Sequence, residues 1–332
     1  MKAKYQKKVI EITNRFGECH LEDLERDRSS NYLSFYEFFQ NEIDICKGVK
    51  AKATISTYDT CLSHIKEFRT SLYFTDINYS LIEGFDRHLR RRGMRSNVIA
   101  KYHSKLRFMI NQAIKKDMDI PGGNPYVKFT VKSGESRPRV FLTMQEVKRI
   151  EELKFNSDEF FLERERDGFL FSCFTALRNE TNKVLSIKTF LLVDGRYHLK
   201  AKSNKTDKYI NIPLNKVFPS DGDYSKPEIL LYKYIQLNKD IYSTGYASKP
   251  LFGDTCNQVS NKRLKIIAKR AGINKNLTTH VGRHTFGTFM ADKISLHYLQ
   301  AMLQHSKIST TMKYVHLNER LVAEGLDKVK WK

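Results

Sequence analysis

Long apolar runs are missing from this sequence. None approaches the roughly 18–20 residues that a membrane-spanning helix needs, and the stretch from Phe169 to Leu177 is too short. Acid is scarce as well: 37 Asp and Glu stand against 58 Lys and Arg, a net charge of +21. Such an excess works against compactness and points to a polyanionic partner, nucleic acid first and an anionic membrane surface second. The five cysteines (Cys19, Cys46, Cys61, Cys173 and Cys256) are odd in number and widely scattered. They make neither a zinc knuckle nor a disulfide framework, and they suit a reducing cytoplasm. Lys2, Lys4, Lys7 and Lys8 are followed by no apolar segment, so no secretory signal is expected there. Internal repeats and low-complexity tracts are lacking too.

The 332 residues, 40 % of them apolar, suffice for about two domains. Residues 1–29 read as a basic extension with one helix carrying Val9, Ile10, Ile12 and Phe16. Residues 30–118 read as four helices, the first capped by Ser30. Their inward stripes are Phe35, Phe38, Phe39 and Ile43; Tyr58, Leu62, Ile65 and Phe68; Leu81, Ile82, Phe85 and Leu89; and Ile99, Tyr102, Leu106, Ile110 and Ile114. Between the third and fourth stripes lie Arg87, Arg90, Arg91, Arg92 and Arg95, followed by Lys101 and Lys105, with Asp86 nearby to balance them. Arginine suits phosphate geometry, so this cluster reads as a DNA-backbone contact.

Three of the seven prolines fall in 119–142, with Gly122, Gly123, Gly134, Lys128, Lys132, Arg137 and Arg139 around them. This is a basic interdomain linker in which Arg137 and Arg139 are further DNA contacts. Thr143-Met-Gln-Glu146 is a capping box that reopens helical text. From 143 to 332 the chain reads as helical, interrupted by a hairpin of Tyr197–Ser203 and Tyr209–Leu214. An amphipathic helix bearing Leu321, Val322, Leu326, Val329 and Trp331 ends it.

Two clusters near the C-terminus carry chemistry. In Thr279-His280-Val-Gly-Arg283-His284-Thr285-Phe286, a helix puts His280 and Arg283 on one face. In Leu303-Gln304-His305-Ser-Lys-Ile-Ser-Thr-Thr-Met-Lys-Tyr314, Ser309 caps a short helix that carries Tyr314. Attack on a phosphodiester needs an oxygen nucleophile and fixed donors for the charge on the nonbridging oxygens. It also needs one group to take the nucleophile's proton and another to protonate the leaving oxygen. Arginines, histidines, a lysine and a tyrosine would suffice without a metal. Chemistry alone leaves this reading level with a set of surface residues.

The ordered set of motifs is similar to that of the tyrosine recombinases, the phage-type integrases of bacterial mobile elements. His280-X-X-Arg283-His-Thr-Phe, then Leu303-X-His305, then Tyr314 nine residues on, resembles the family's C-terminal signature. Thr175-Ala-Leu-Arg178 resembles its first arginine motif, and Lys205-Thr206 before Ile210-Asn-Ile-Pro213-Leu214 its lysine-bearing β-turn. The resemblance covers 143–332, and the four-helix segment resembles the family's core-binding domain. It implies a mainly α fold with a small β-hairpin or sheet. A SAM-like core-binding domain and a catalytic domain would clamp DNA, and the terminal helix would dock into a neighbouring protomer.

It also implies site-specific cleavage and rejoining of DNA through a 3′-phosphotyrosine at Tyr314, without metal, ATP or other cofactor. Arg178 and Arg283 would hold the nonbridging oxygens, and Lys205 would protonate the leaving 5′ oxygen. His280 would manage the tyrosine proton and His305 would donate to the phosphate, with His284 and His316 in supporting places. The implied partners are double-stranded DNA, three further protomers in a tetramer on two sites, and an accessory DNA-bending protein. The free chain would be a monomer, cytoplasmic and nucleoid-associated, with no membrane partner. An arm-site domain at the N-terminus is not expected from the 28 residues before the first core-binding helix.

Three departures stand out. The acid usual three residues after the first arginine is Thr181 here, and Glu180 lies about 100° around a helix from that position. Gln304 replaces a glycine and is expected to require a backbone without positive φ. Ala176 replaces another glycine. A type IB-like topoisomerase and a catalytically decayed DNA-binding regulator remain alternative readings.

Overall fold

The computed structural model describes residues 10, 13, 34–132, 134, 139–202, 209–242 and 244–315. The chain divides into two compact units, the first ending at residue 137 and the second beginning at 138.

In the first unit the described residues form four α-helices: α1 (Phe35–Cys46), α2 (Lys52–Phe68), α3 (Tyr79–Arg91) and α4 (Ser96–Lys115). Ser34 starts α1, its hydroxyl accepting from the Tyr36 N–H at 3.2 Å; Ser30 lies outside the described residues. Asn78 caps α3 by accepting from the Leu81 N–H at 3.0 Å. The core is aromatic where α1 meets the turn before α3. Phe35 packs edge-on against Phe39 and Phe74, with ring centroids 5.9 and 5.6 Å apart.

The expected stripes face inward with one exception. Ile114 is exposed, and Met109 and Ala113 complete the buried face of α4 instead, because the stripe drifts around a helix of 3.6 residues per turn. A polar group is set into this core. His103 of α4 is fully buried, its Nδ1 2.8 Å from the Tyr126 hydroxyl and its Nε2 3.3 Å from Asp86 of α3.

The second unit opens with α5 (Met144–Glu151), whose Thr143–Glu146 capping box is formed. At its centre runs α6 (Phe160–Thr175), buried from Phe169 to Thr175. A short α7 (Asn179–Lys183) leads to a three-stranded antiparallel sheet: β1 (Phe190–Val193), β2 (Arg196–Lys202) and β3 (Tyr209–Pro213), in that order. The expected hairpin is β2–β3, with Leu199 opposite Ile212. The sequence reading missed β1, whose Leu191, Leu192 and Val193 are exposed and show no alternation.

Further helices follow. They are α8 (Lys226–Tyr242) and α9 (Asn257–Arg270), then α10 (Thr279–Met290), α11 (Leu296–Met302) and α12 (Ile308–Met312), which bear or flank the C-terminal motifs. Asp167 ties α6 to α8 by accepting from Arg166, Lys233 and Tyr234 at 2.7, 2.6 and 3.0 Å. Gly282 lets α10 lie close on α6: a β-carbon there would sit 3.1 Å from the Phe169 carbonyl oxygen. Among the described residues no helix is long and apolar enough to cross a membrane.

Candidate active site

The C-terminal ends of α6 and α11 build the site through the same backbone device. Ala176 closes α6 in the left-handed region at φ 61°, and Arg178 follows at the start of α7. Gln304 follows α11 at φ 48°, contrary to the expectation of a backbone without positive φ. The physical reason is a Schellman closure, in which the Gln304 N–H donates to Ala301 O at 2.9 Å and the His305 N–H to Gln300 O at 3.1 Å. That turn stops α11 and hands the chain to His305.

Four elements then converge. Arg283 of α10 is 5 % exposed and donates through Nη1 to the Ala176 carbonyl at 2.8 Å and through Nη2 to the Leu303 carbonyl. Burial, followed by the neighbouring Arg178, brings its pKa down to about 10, so it stays charged near neutrality. Arg178, half-buried, donates to the Gln304 side-chain oxygen at 3.1 Å. Burial lowers its pKa too, while the exposed Glu180 and Tyr314 pull it up.

Tyr314 lies two residues past the end of α12, in the turn and not on the helix as the sequence suggested, since α12 stops at Met312 and Lys307 occupies its N-cap. It is 2 % exposed. Its ring fits against Gly287, where a β-carbon would come within 2.8 Å, and the Arg139 guanidinium covers it 4.7 Å from the centroid. Burial raises the tyrosine's pKa, while the charges of Arg139 and Arg283 and hydrogen bonds from them pull it down.

His284 also contacts the hydroxyl, with Nδ1 2.9 Å from Oη. Its pKa falls to about 4 through burial, then through Arg139, His280 and Arg283. His284 is therefore neutral near pH 7, a weak base in this state that hydrogen-bonds the tyrosine hydroxyl. His280, four residues earlier on α10, is exposed. His305 lies parallel to the Tyr314 ring at 6.1 Å, its Nδ1 2.9 Å from the Thr311 hydroxyl. Burial and the charges of Arg283, Arg178 and Arg139 depress its pKa to about 4.

The structure thus brings together Arg178, Arg283, His305 and Tyr314. It adds His284 and Arg139, which sequence reasoning put in supporting and DNA-contact places. The signal for His284 was its position one residue after Arg283 on a helix whose far side is core. Lys205 falls between β2 and β3 and lies outside the described residues, as do Arg137, His316, the N-terminal extension except residues 10 and 13, and the helix expected over 319–332.

In the first unit Arg87, Arg90, Arg91, Arg92, Arg95 and Lys101 are exposed, and Lys105 is half-buried over the Tyr58 ring. Acid is closer to the arginines than the sequence suggested. Arg87 pairs with Glu83, Arg90 with Asp86 and Arg92 with Glu67 of α2.

Residues 34–131 match the phage integrase SAM-like domain, and residues 140–320 match the phage integrase family. The chain is 25 % identical over 312 residues to the tyrosine recombinase XerD of Listeria monocytogenes serotype 4b, covering 90 % of this chain and 92 % of that one. A 77-residue stretch is 42 % identical to tyrosine recombinase XerC of Mannheimia succiniciproducens, covering 22 % of this chain and 26 % of that protein.

Among solved structures, the Tn1549 transposon integrase in complex with transposon right end DNA superposes with a TM-score of 0.67 at 16 % identity, over 90 % of this chain and all of that one. A lambda integrase tetramer bound to a Holliday junction gives 0.66 at 18 % identity, over 94 % and 86 % of the two chains. The two-domain fold is that of the tyrosine recombinases. The chain belongs to the phage integrase family, and its activity is site-specific DNA recombination by a tyrosine-type enzyme.

Proposed function

We propose that Tyr314 is the nucleophile of this recombinase and that Arg178, Arg283, His284 and His305 form its phosphate pocket. The observation that supports this is the convergence of two arginine side chains, held by Ala176 O, Leu303 O and Gln304, on the one tyrosine that His284 contacts. The Tyr314 oxygen bonds to the DNA phosphorus as the 5′ oxygen leaves, giving a 3′-phosphotyrosine. The bond energy is kept for the reverse step, in which a 5′ hydroxyl displaces the tyrosine. Arg178 and Arg283 hold the nonbridging oxygens with fixed, charge-assisted donors, and His305 donates a further hydrogen bond.

His284 takes the tyrosine proton once the bound phosphate offsets the arginine charges that depress its pKa, and the exposed His280 one turn away is its outlet to solvent. Lys205 protonates the leaving oxygen. Because Tyr314 is 2 % exposed under Arg139, DNA must reposition one or both before attack.

The two units clamp double-stranded DNA, with the α3–α4 arginines, Lys101, Lys105, Arg137 and Arg139 serving the backbone. Four protomers assemble on two sites from monomers, the C-terminal segment of each docking on the next. An accessory DNA-bending protein assists, and the work is done in the cytoplasm at the nucleoid. A nicked suicide substrate tests the nucleophile: the wild type should accumulate a covalent complex, and Tyr314→Phe should bind DNA yet form none. An adduct with the Phe variant would move the nucleophile elsewhere, and relaxation of supercoils without exchange between two sites would favour the topoisomerase reading.

A further inference from the structure

The turn after α11 is costly for the residue that occupies it. A Schellman closure asks for positive φ at residue 304, which glycine adopts freely and a glutamine does not. The chain nevertheless places a glutamine there at φ 48° and buries it to 5 % exposure. A buried amide needs partners, and the Gln304 side-chain oxygen has one in Arg178, which donates to it at 3.1 Å. The flanking residues serve the same site. Leu303 offers its carbonyl to Arg283, and His305 lies parallel to the Tyr314 ring. Three consecutive residues therefore govern both guanidinium groups and a histidine.

The surroundings of Arg178 explain why an amide is useful. On α7, position 181 is a neutral, buried threonine, and the carboxylate of Glu180 is exposed. A guanidinium emerging at the start of a five-residue helix has several rotatable bonds and needs a fixed acceptor to aim its fork. A carboxylate would aim it and also cancel much of its charge. An amide oxygen aims it and leaves the charge for the phosphate. We propose that Gln304 is a positioning residue for Arg178, holding its fork toward the nonbridging oxygens without cancelling its charge. This inference rests on the reading of Arg178 as a phosphate ligand.

The test is a double-mutant cycle read as single-turnover cleavage of a nicked DNA substrate at saturating protein. Gln304→Gly removes the amide and relieves the backbone. Gln304→Asn keeps an amide that tolerates the left-handed region but is one methylene too short to reach. Both are expected to retain the wild-type circular dichroism spectrum and to cleave about tenfold more slowly, the scale of one missing hydrogen bond to a charged group.

Arg178→Ala should cleave at least ~10²-fold more slowly, and adding Gln304→Gly to it should slow it no further. A purely structural Gln304 would slow both backgrounds alike. Cleavage by both single variants within twofold of wild type, or a further tenfold loss in the Arg178→Ala background, overturns the proposal while leaving Arg178 in place. Normal cleavage by Arg178→Ala overturns the phosphate reading and this inference with it.

Discussion

Two residues of the site, Ala176 and Gln304, hold the left-handed backbone that glycine usually takes, and they do so to different ends. Ala176, at φ 61° and fully buried, contributes only its carbonyl to Arg283, which a glycine would offer equally. Ala176→Gly is therefore expected to stabilise the second unit by about 1 kcal/mol in native-state strain, partly offset by the entropy of an unfolded glycine. Thermal melting should show a rise of roughly 1–3 °C, and a fall would mean that the methyl group's packing outweighs the strain.

The histidines make the second contrast at this scale. His284 touches Oη and His280 does not reach it in this state, so His284→Ala should slow cleavage by roughly 10²-fold or more and His280→Ala by distinctly less. The opposite order, measured on the suicide substrate at pH 7, would return the proton to His280.

At the scale of elements, α10 is shaped by what packs on it. The Gly287 side of the helix receives the Tyr314 ring so closely that a methyl group would stand 2.8 Å from the ring atoms Cδ1 and Cε1. Gly287→Ala is expected to expel the ring from this seat and to destabilise the second unit by about 1–3 kcal/mol. Tyrosine fluorescence quenching by iodide should then report a more accessible ring, and quenching unchanged from wild type would mean the helix moves instead.

Elements of this kind were legible where a period or a cap is local. The four helical stripes of the first unit, the Thr143–Glu146 capping box and the β2–β3 pairing all follow from spacing of residue types. Illegible were the features set by tertiary closure. Nothing in Phe190–Val193 alternates, so β1 exists because β2 pairs with it. Tyr314 leaves the helix because α12 ends after five residues, and Gln304 takes positive φ because the turn to His305 requires it. The arginine and tyrosine motifs pointed to residues that the structure brings together. The contacts of Arg139 and His284 with the tyrosine were not legible, because spacing within a motif does not give side-chain contacts between elements.

Across the whole molecule, charge and buried histidine set how it responds to solution conditions. His103, His284 and His305 all have pKa values lowered to about 4, burial being the first cause in each. Since an unfolded histidine titrates near 6.5, the neutral forms favour the folded state fully above that pH. The contribution is lost progressively as pH falls toward 4. His103, facing Asp86, Tyr126, Arg90 and Arg107, reports on the first unit, and His103→Gln should flatten the loss of urea stability between about pH 6.5 and 4.

DNA binding should respond to salt in a way that follows from the net +21. If roughly six to ten phosphates are neutralised, affinity should fall about 10³–10⁵-fold between about 50 and 200 mM salt, because each neutralised phosphate releases condensed counterions. The ion pairs of Arg90 and Arg92 with Asp86 and Glu67 bear on which residues carry that slope. The Arg92–Glu67 pair is exposed, weak in water and easily exchanged for phosphate oxygens, whereas Asp86 is half-buried and holds Arg90 more firmly. Reversing Arg90, Arg91 and Arg92 to Glu should therefore weaken every DNA sequence about equally, since phosphate contacts position rather than specify. The salt slope should become shallower by about one for each phosphate that the variant no longer neutralises. A slope unchanged by the triple reversal would place the backbone contact of the first unit on another face.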